Sequence, residues 1–339
     1  MMIEMSSELS RFWDEAPLDS APFVHPRDFL RDGDLQTGIS SFGDFVAVME
    51  SGRLSRRGFH MSLMPQPYHG DLENADVLIL LINPGLSAAD YFAEFNFPEF
   101  RQELVAAIRQ ERRSHIFLDP KWAWTGGFGW WESKLRPVAR EIASAKYDGH
   151  YGRALAELAR RLAAVELIPY HSFNSGFGGA LASSDAARHF AASVGPDRTI
   201  IVTRGVGNWR LPDAPNIIKY STAHARRASL GPETEGGRAI LRCFGISNWA
   251  GRPGAPDGSR THDLPIKSRT LYRLSYGRSG VSPSEARGGE LARTIVAPPR
   301  VSTINPAIYG ASIGLPAKPV GWQATSRAVM AVQSCWASS

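Results

Sequence analysis

Side chains that can do chemistry follow four predicted strands of this chain, at the point where each strand ends. Asn83 lies in an Asn-Pro-Gly turn after the first strand, and its amide can hold a water molecule or bind a polar edge. Glu166 and His171 end the second strand and offer an acid/base pair, whereas Arg204 after the third can bind a phosphate or carboxylate. A basic loop beginning at His224 follows the fourth strand. Each group also has a plain structural interpretation as a turn, a solvated carboxylate or a surface loop.

The elements that must position these side chains follow from the pattern of apolar residues. The continuous apolar run at residues 75–82 predicts a strand that is buried on both faces, and further strands are predicted at 165–169, 199–203 and 216–221. Helical periodicity predicts helices at residues 42–50, 98–113, 132–146, 153–165, 184–193 and 236–244. Strands separated by helices predict an α/β fold, a three-layer doubly wound sandwich with a parallel sheet of about four strands. Ligands of such folds bind beyond the carboxyl ends of the strands, so the residues above are expected to line one cleft.

The chain divides by composition into three parts. Residues 1–70 are predicted to be an N-terminal extension that packs on the domain, residues 71–249 the α/β domain, and residues 250–339 a disordered tail rich in Gly, Pro, Ser and Arg. The tail holds 11 of the 38 basic and 4 of the 33 acidic residues, so residues 1–250 hold 27 and 29, a net charge of −2. The overall charge of +5 therefore does not indicate a nucleic-acid-binding domain.

The tail carries an unusual coding pattern at residues 258–276. Its segments GSRT, PIKSR and TLYRLSY can be encoded by DNA whose reverse complement resembles the T-arm, the lysine anticodon stem-loop and the D-arm of a bacterial tRNA gene, in the antisense order. This pattern predicts that the tail is read-through across a tRNA gene rather than evolved protein. A basic linker is the alternative.

Several classes of protein are disfavoured by the composition. Cys243 and Cys335 lie far apart and show no metal-binding spacing, and no dinucleotide or Walker fingerprint occurs, so neither a metal nor a cofactor is expected. No apolar run is as long as a membrane span and the N-terminus is acidic, which predicts a cytoplasmic protein without membrane contact. Four tryptophans beside Gly126-Gly127 are predicted to form a packed aromatic cap, with a stacking wall as the alternative; they are Trp122, Trp124, Trp130 and Trp131.

Taken together, the strand ends resemble the uracil-DNA glycosylase superfamily over roughly residues 65–244. Ile82-Asn83-Pro84-Gly85 is similar to the first motif of its mismatch-specific and single-strand-selective branches, and the loop from His224 to Leu230 resembles its second motif. The chain more closely resembles a little-characterised bacterial group of glycosylase-like proteins. The segments that carry this resemblance are Asp119-Pro120, Trp130-Trp131-Glu132-x-Lys134-Leu135-Arg136, Pro169-Tyr170-His171-Ser172 and Arg204-Gly205-x-x-x-Trp209.

The resemblance implies excision of a base from DNA after the nucleotide has been flipped into a closed pocket. Asn83 would position the attacking water, and His224 would stabilise the charge that develops on the leaving base. The residues implied to bind the base are Gly85, Tyr91, Phe92, Glu166, Tyr170 and His171. Those implied to contact the DNA backbone are Arg204, Arg226, Arg227 and Ser229.

Glu166 stands where the resemblance implies an Asn that reads uracil through both a donor and an acceptor. An ionised Glu only accepts hydrogen bonds, and it would suit an amino group, as on adenine or cytosine, better than the O4 of uracil. Two other functions stay open on the sequence. One is a hydrolase of a small substrate that uses Glu166 and His171 as its acid/base pair, and the other is a catalytically silent protein-interaction domain. The oligomeric state is not indicated.

Overall fold

The computed structural model describes residues 7–173 and 180–247 of the chain. The strands in these ranges, in chain order, are β1 (Leu35–Gln36), β2 (Phe59–His60), β3 (Tyr68–His69), β4 (Val77–Leu81), β5 (Leu162–Glu166), β6 (Thr199–Val202) and β7 (Ile217–Lys219). The main sheet has the order β3-β5-β4-β6-β7, and only its edge strand β3 is antiparallel to its neighbour. The predicted α/β class with a parallel-dominated sheet is confirmed.

The helices, in chain order, are α1 (Glu8–Trp13), α2 (Phe42–Glu50), α3 (Ala88–Asn96), α4 (Pro98–Ile108), α5 (Gly126–Lys146), α6 (Tyr151–Arg161), α7 (Ala182–Ser193), α8 (Val206–Trp209), α9 (Thr222–Arg227) and α10 (Glu235–Cys243). The helix predicted at 42–50 has the predicted bounds, and α5 begins six residues before its prediction. Helix α3 was not predicted from the apolar pattern. Its N-cap is Ser87, whose backbone N–H and hydroxyl donate to the carboxylate of Asp90, so the Ser-x-x-Asp spacing was the available signal.

The central strand β4 has the sequence VLILL, and all five of its residues are buried. Its parallel partners keep its carboxyl end in line with theirs, because Leu81 pairs with Glu166 and Leu80 with Val202. Hydrogen bonds beyond the strands hold the ends together: the Ile168 N–H donates to the carbonyl of Ile82 at 2.7 Å. The register therefore places the residues that follow β4, β5 and β6 at one edge of the sheet.

The second large strand lies earlier in the chain than predicted. The sequence pattern predicts a helix over residues 153–165 and a strand over 165–169, whereas α6 ends at Arg161 and β5 occupies Leu162–Glu166. Leu162-Ala-Ala-Val continues the apolar face of the helix, so periodicity alone does not mark the boundary. Pairing along the whole of β4 decides it, since all five residues of β5 have partners there.

Residues 7–70 contribute directly to the sheet and to the core. Strand β3 pairs with β5, helix α1 packs on α7, and Trp13 and Phe23 are buried in the main hydrophobic core. The predicted boundary at residue 70 therefore lies just after a strand of the main sheet. Within the described residues, no helix is both long enough and apolar enough to cross a membrane. The predicted tail at residues 250–339, together with its tRNA-like segment, lies outside the described residues.

Candidate functional site at the strand ends

A cavity of about 340 Å³ lies at the carboxyl ends of β4, β5 and β6. Residues from all three strand ends line it: Asn83 after β4, Glu166 at the end of β5 and Arg204 after β6. Predicted site residues Gly85 and His171 line it as well. The remaining lining residues are Gln66, His69, Leu81, Pro84, Leu86, Ser87, Asp90, Phe117, Gly126, Gly127, Trp130, Trp131, Ser172 and Phe173.

Asn83 is held in one orientation by the segment that follows β5. Its Nδ2 donates to the carbonyl and to the hydroxyl of Ser172, both at 3.2 Å. With the amide nitrogen engaged, its Oδ1 is the group available to a ligand or a water molecule. Gly85 has a φ of +73° and would find open space for a Cβ, so glycine is favoured there by the backbone conformation.

Glu166 brings a buried carboxyl group into the cavity. Its side chain is 7% exposed, and Oε2 has no hydrogen-bond partner among the described residues. Burial raises the pKa of Glu166 to about 8, although the nearby charge of Arg204 acts in the opposite direction. The expectation that Glu166 is ionised is therefore corrected: at neutral pH the carboxyl is mostly protonated, and it can both donate and accept hydrogen bonds.

His171 presents an unprotonated ring nitrogen in the same cavity. Its Nδ1 lies 2.8 Å from the carbonyl of Gly85, which can only accept, so Nδ1 carries the hydrogen. Burial lowers the pKa of His171, against opposing contributions from Asp90 and from this hydrogen bond, and the ring is neutral. Nε2 is buried without a partner among the described residues, and its lone pair is available to a ligand.

Two further histidines lie beside the cavity, and the sequence pattern indicated no role for them. His69 lines the cavity, its Nε2 lies 3.3 Å from Oε1 of Gln66, and its Nδ1 has no partner within the described chain. The ring centroid of His115 lies 5.4 Å from that of His69, and both rings are fully buried. Burial lowers the pKa of His69 to about 3. They are 46 positions apart in sequence, so no local spacing could have paired them.

An aromatic wall on helix α5 closes one side of the cavity. Trp130 and Trp131 line it together with Gly127, where an added Cβ would collide with the ring of Phe117. The wall interpretation therefore applies to Trp130 and Trp131, whereas Trp122 is buried and its ring packs against Phe100 at 5.0 Å. A glycine at position 127 is required by this close approach of α5 to Phe117.

Three residues implied to bind the base lie elsewhere. Tyr91 is fully buried, and its hydroxyl lies 2.8 Å from Nδ1 of His60. Phe92 packs against Phe42 and Phe97 outside the cavity. Tyr170 is also buried, and its hydroxyl donates to the carboxylate of Asp28 at 2.6 Å. These three side chains are corrected to structural roles, because Tyr91 and Tyr170 point into the core and Phe92 packs against other aromatic rings outside the cavity.

The predicted second motif lies beyond the cavity lining. His224 is exposed on the short helix α9, and its Nδ1 lies 2.9 Å from the hydroxyl of Ser221. Arg227 is exposed and Ser229 donates to Glu233 at 2.9 Å, while the side chain of Arg226 is outside the described part of the structure. One hydrogen bond joins the motif to helix α5, in which Lys134 donates to the Arg227 carbonyl at 2.8 Å.

A larger depression of about 730 Å³ lies between α1 and α7. Several of its polar groups contact other side chains: His189 lies 3.1 Å from Glu8, and the Arg27 guanidinium lies over the ring of Phe12. None of the residues in it was predicted to do chemistry. We therefore take the smaller cavity as the candidate site, since it holds buried polar groups without partners.

Among residues 7–173 and 180–247, no group of three or more His, Cys, Asp or Glu side chains is arranged to hold a metal ion. Comparisons with protein-family models, with curated proteins and with solved structures gave no match for this chain.

Proposed function

We propose that this protein is a uracil-DNA glycosylase-like hydrolase that cleaves the N-glycosidic bond of a flipped nucleotide in DNA, on a doubly wound three-layer sandwich. The observation that carries the proposal is the convergence of Asn83, Glu166, His171 and Arg204 on one cavity with an aromatic wall. These side chains come from the ends of three strands. Their chemistry matches what hydrolysis of such a bond requires, namely a held water, a proton donor for the base and a stacking surface.

The order of the strands supports the proposed architecture. The chain moves from β4 to β5 on one side and then returns to β6 on the other side of β4. Right-handed crossovers would then place the connecting helices on opposite faces of the sheet. Crevices at such a reversal are the usual ligand sites of open α/β sheets, and the cavity lies at this reversal.

The proposed reaction follows from the protonation states of the site. Asn83 orients a water molecule through Oδ1, and the lone pair of His171 Nε2 accepts a proton from it as the oxygen bonds to C1′ of the sugar. The bond between C1′ and the base nitrogen breaks, and its electron pair leaves with the base. Glu166 donates its proton to the base and becomes a carboxylate beside Arg204, which stabilises that charge. Proton return from His171 to Glu166 through solvent restores the enzyme.

Protonated Glu166 also bears on the choice of base. A neutral carboxylic acid offers an adjacent donor and acceptor, as an amide does, so it can pair with an edge that carries a carbonyl and an N–H. The proposed target bases therefore include uracil and hypoxanthine, in addition to the amino-bearing bases that an ionised Glu166 would favour.

The test is base release by the purified full chain. Single-stranded and duplex oligonucleotides carrying uracil, hypoxanthine, xanthine or a mismatch are incubated with the protein, and abasic sites are cleaved by alkali and counted. We expect strand cleavage at one of these bases, and its loss in Asn83→Ala. Wild-type protein that releases none of them would contradict the proposal.

A hydrolase of a small substrate is the second candidate, and the position of His224 favours it. The implied second-motif histidine is exposed outside the cavity, whereas Glu166 and His171 are enclosed in it. The net charge of −2 on residues 1–250 provides no general attraction to DNA. Hydrolysis of a small ester, amide or nucleoside that needs Glu166 and His171, without base release from DNA, would select this candidate.

A further inference from the structure

Two cationic side chains at the candidate site form no ion pair among the described residues. Arg204 lines the cavity, and Lys134 lies beside it on α5, one helical turn after Trp130. The sequence indicated no role for Lys134 beyond its place in a resembling segment. Within the described residues, no carboxylate lies within 4.0 Å of either cation.

The ammonium group of Lys134 is held in place by two contacts. Its Nζ lies over the ring of Trp130, 5.5 Å from the centroid, and it donates one hydrogen bond to the carbonyl of Arg227 at 2.8 Å. An ammonium has three N–H donors, so two remain for a ligand. Because Trp130 itself lines the cavity, the contact fixes the cation at the cavity rim.

The turn that follows β6 fixes the backbone position of Arg204. The next residue, Gly205, adopts a φ of +66°, and Trp209 on the short helix α8 donates from its indole nitrogen to the Leu81 carbonyl at 3.0 Å. Burial lowers the pKa of Lys134, and the charge of Arg204 lowers it further, so the two cations act on each other. Glu166 does not neutralise them near pH 7, because its own carboxyl is mostly protonated there.

We propose that Arg204 and Lys134 form an anion subsite that holds a phosphate group of the ligand, while the base lies against Trp130 in the cavity. Two like charges held together and partly desolvated are stabilised when an anion binds between them. A ligand that uses this subsite carries a phosphate group, so it is a nucleotide unit rather than a free base or a nucleoside. The identity of the ligand as a nucleotide rests on the proposed function.

The test measures binding by calorimetry, with the full chain and with two pairs of ligands: deoxyuridine against its 5′-monophosphate, and deoxyadenosine against its 5′-monophosphate. We expect at least one monophosphate to bind on the order of 10-fold more tightly than its nucleoside, and inorganic phosphate to compete with it. This preference should decrease as the salt concentration rises. A monophosphate that binds no better than its nucleoside in either pair, or does not bind at all, overturns the subsite.

Variants assign the effect to Lys134. Lys134→Met removes the charge but keeps an apolar chain over Trp130, and it should weaken monophosphate binding by about 10-fold without changing nucleoside binding. Lys134→Arg should retain the preference. The matched control is Lys146→Met, which removes a lysine from the last turn of the same helix and should change neither affinity. Equal effects of the two Met variants overturn the assignment.

Failure of this subsite and failure of the proposed function can be told apart. If no base is released from any oligonucleotide but monophosphate binding depends on Lys134, the glycosylase proposal falls and the anion subsite stands. If base release is measured but Lys134→Met leaves monophosphate affinity unchanged, the anion subsite falls and the glycosylase proposal stands.

Discussion

Two regions of this molecule each contain a buried glutamic acid and a buried histidine, and they differ in what these polar groups face. In the cavity, burial raises the pKa of Glu166 to about 8. The second region is a cluster around α3 that contains Glu94, Tyr91 and His60, and burial there raises the pKa of Glu94 to about 8. In the cluster, Tyr91 donates to Nδ1 of His60, whose Nε2 lies 3.0 Å from the Ser55 carbonyl, so both ring nitrogens of His60 are used. In the cavity, His171 uses only one of its two ring nitrogens within the described part of the chain.

The comparison shows that a shifted pKa alone does not identify a functional site. Glu94 is a buried residue of α3, and it accepts a hydrogen bond from the Met64 N–H at 2.8 Å. Its Oε1 lacks a partner among the described residues, as Oε2 of Glu166 does, but Glu94 is not among the residues that line the strand-end cavity. What distinguishes Glu166 and His171 is that their unpartnered atoms belong to a cavity large enough for a ligand.

The largest effect that we expect within this comparison comes from Asn83→Ala in the cavity. Removing one preorganised polar group lowers a rate by on the order of 10²–10³-fold, and nucleotide affinity should stay nearly unchanged because a water-positioning amide acts mainly in the transition state. Single-turnover base release and equilibrium binding measure the two quantities. Asn96→Ala, at an exposed asparagine that donates to the Phe92 carbonyl, is the control. An equal loss in both variants would remove Asn83 from the mechanism.

A second effect separates the two glutamic acids by the pH dependence of activity. If protonated Glu166 donates to the base, base release by the wild type should be about 10-fold lower at pH 9 than at pH 7, since a single proton with a pKa of about 8 is lost. Glu166→Gln keeps a hydrogen-bond donor and acceptor but cannot transfer a proton, so its base release should be lower than that of the wild type, and the activity that remains should not show this fall. Glu94→Gln should leave the wild-type pH profile intact. A profile that changes with Glu94 rather than with Glu166 would reverse the comparison.

The two glutamic acids should change the pH dependence of stability in the same direction, although only one of them should affect activity. Each carboxyl has a pKa of about 8 in the folded protein and an ordinary pKa near 4.5 when unfolded, so the folded state holds a proton that the unfolded state has lost. Stability is then lost as pH rises from about 4.5 to 8. Below about pH 6.5 the buried histidines act oppositely, because their lowered pKa values make stability fall as pH falls.

The net expectation is a decrease in stability between about pH 6.5 and 8, on the order of 1–2 kcal/mol for each carboxyl. Urea unfolding at several pH values measures it. Glu94→Gln and Glu166→Gln should each flatten the decrease by a similar amount, although only the latter changes the pH profile of activity. A stability that is constant or rises over this range would contradict the raised pKa values.

The smallest effect is expected from Tyr91→Phe in the cluster. The change removes the hydroxyl that donates to His60 and should lower the free energy of unfolding by about 1 kcal/mol. Base release should be unchanged, because Tyr91 does not line the cavity. Tyr147→Phe, at a half-buried tyrosine just after α5, serves as a comparison for loss of a hydroxyl. A selective loss of activity in Tyr91→Phe would instead assign the Tyr91 hydroxyl a part in the candidate site.

The sequence by itself determined the class of fold and the edge of the sheet that carries the polar strand ends. Fully apolar runs such as residues 77–81 are typical of strands buried on both faces, and parallel strands bring their carboxyl ends to one edge. The pattern alone therefore predicts that Asn83, Glu166, His171, Arg204 and His224 gather there; the first four line the cavity, whereas His224 is exposed outside it. The same apolar runs leave element boundaries open, as at β5, because a short alanine-rich segment fits both a helix and a strand.

Only the tertiary structure decided which side chains reach the cavity and in which protonation state. Tyr170 and His171 are adjacent in sequence, yet one donates to Asp28 in the core and the other faces the cavity. Lys134 and His69 reach the site from elements outside the predicted strand ends. The charge of Glu166 depends on how completely distant parts of the chain remove it from water, since desolvation is set by every atom packed around a group. No local pattern of residues carries that information.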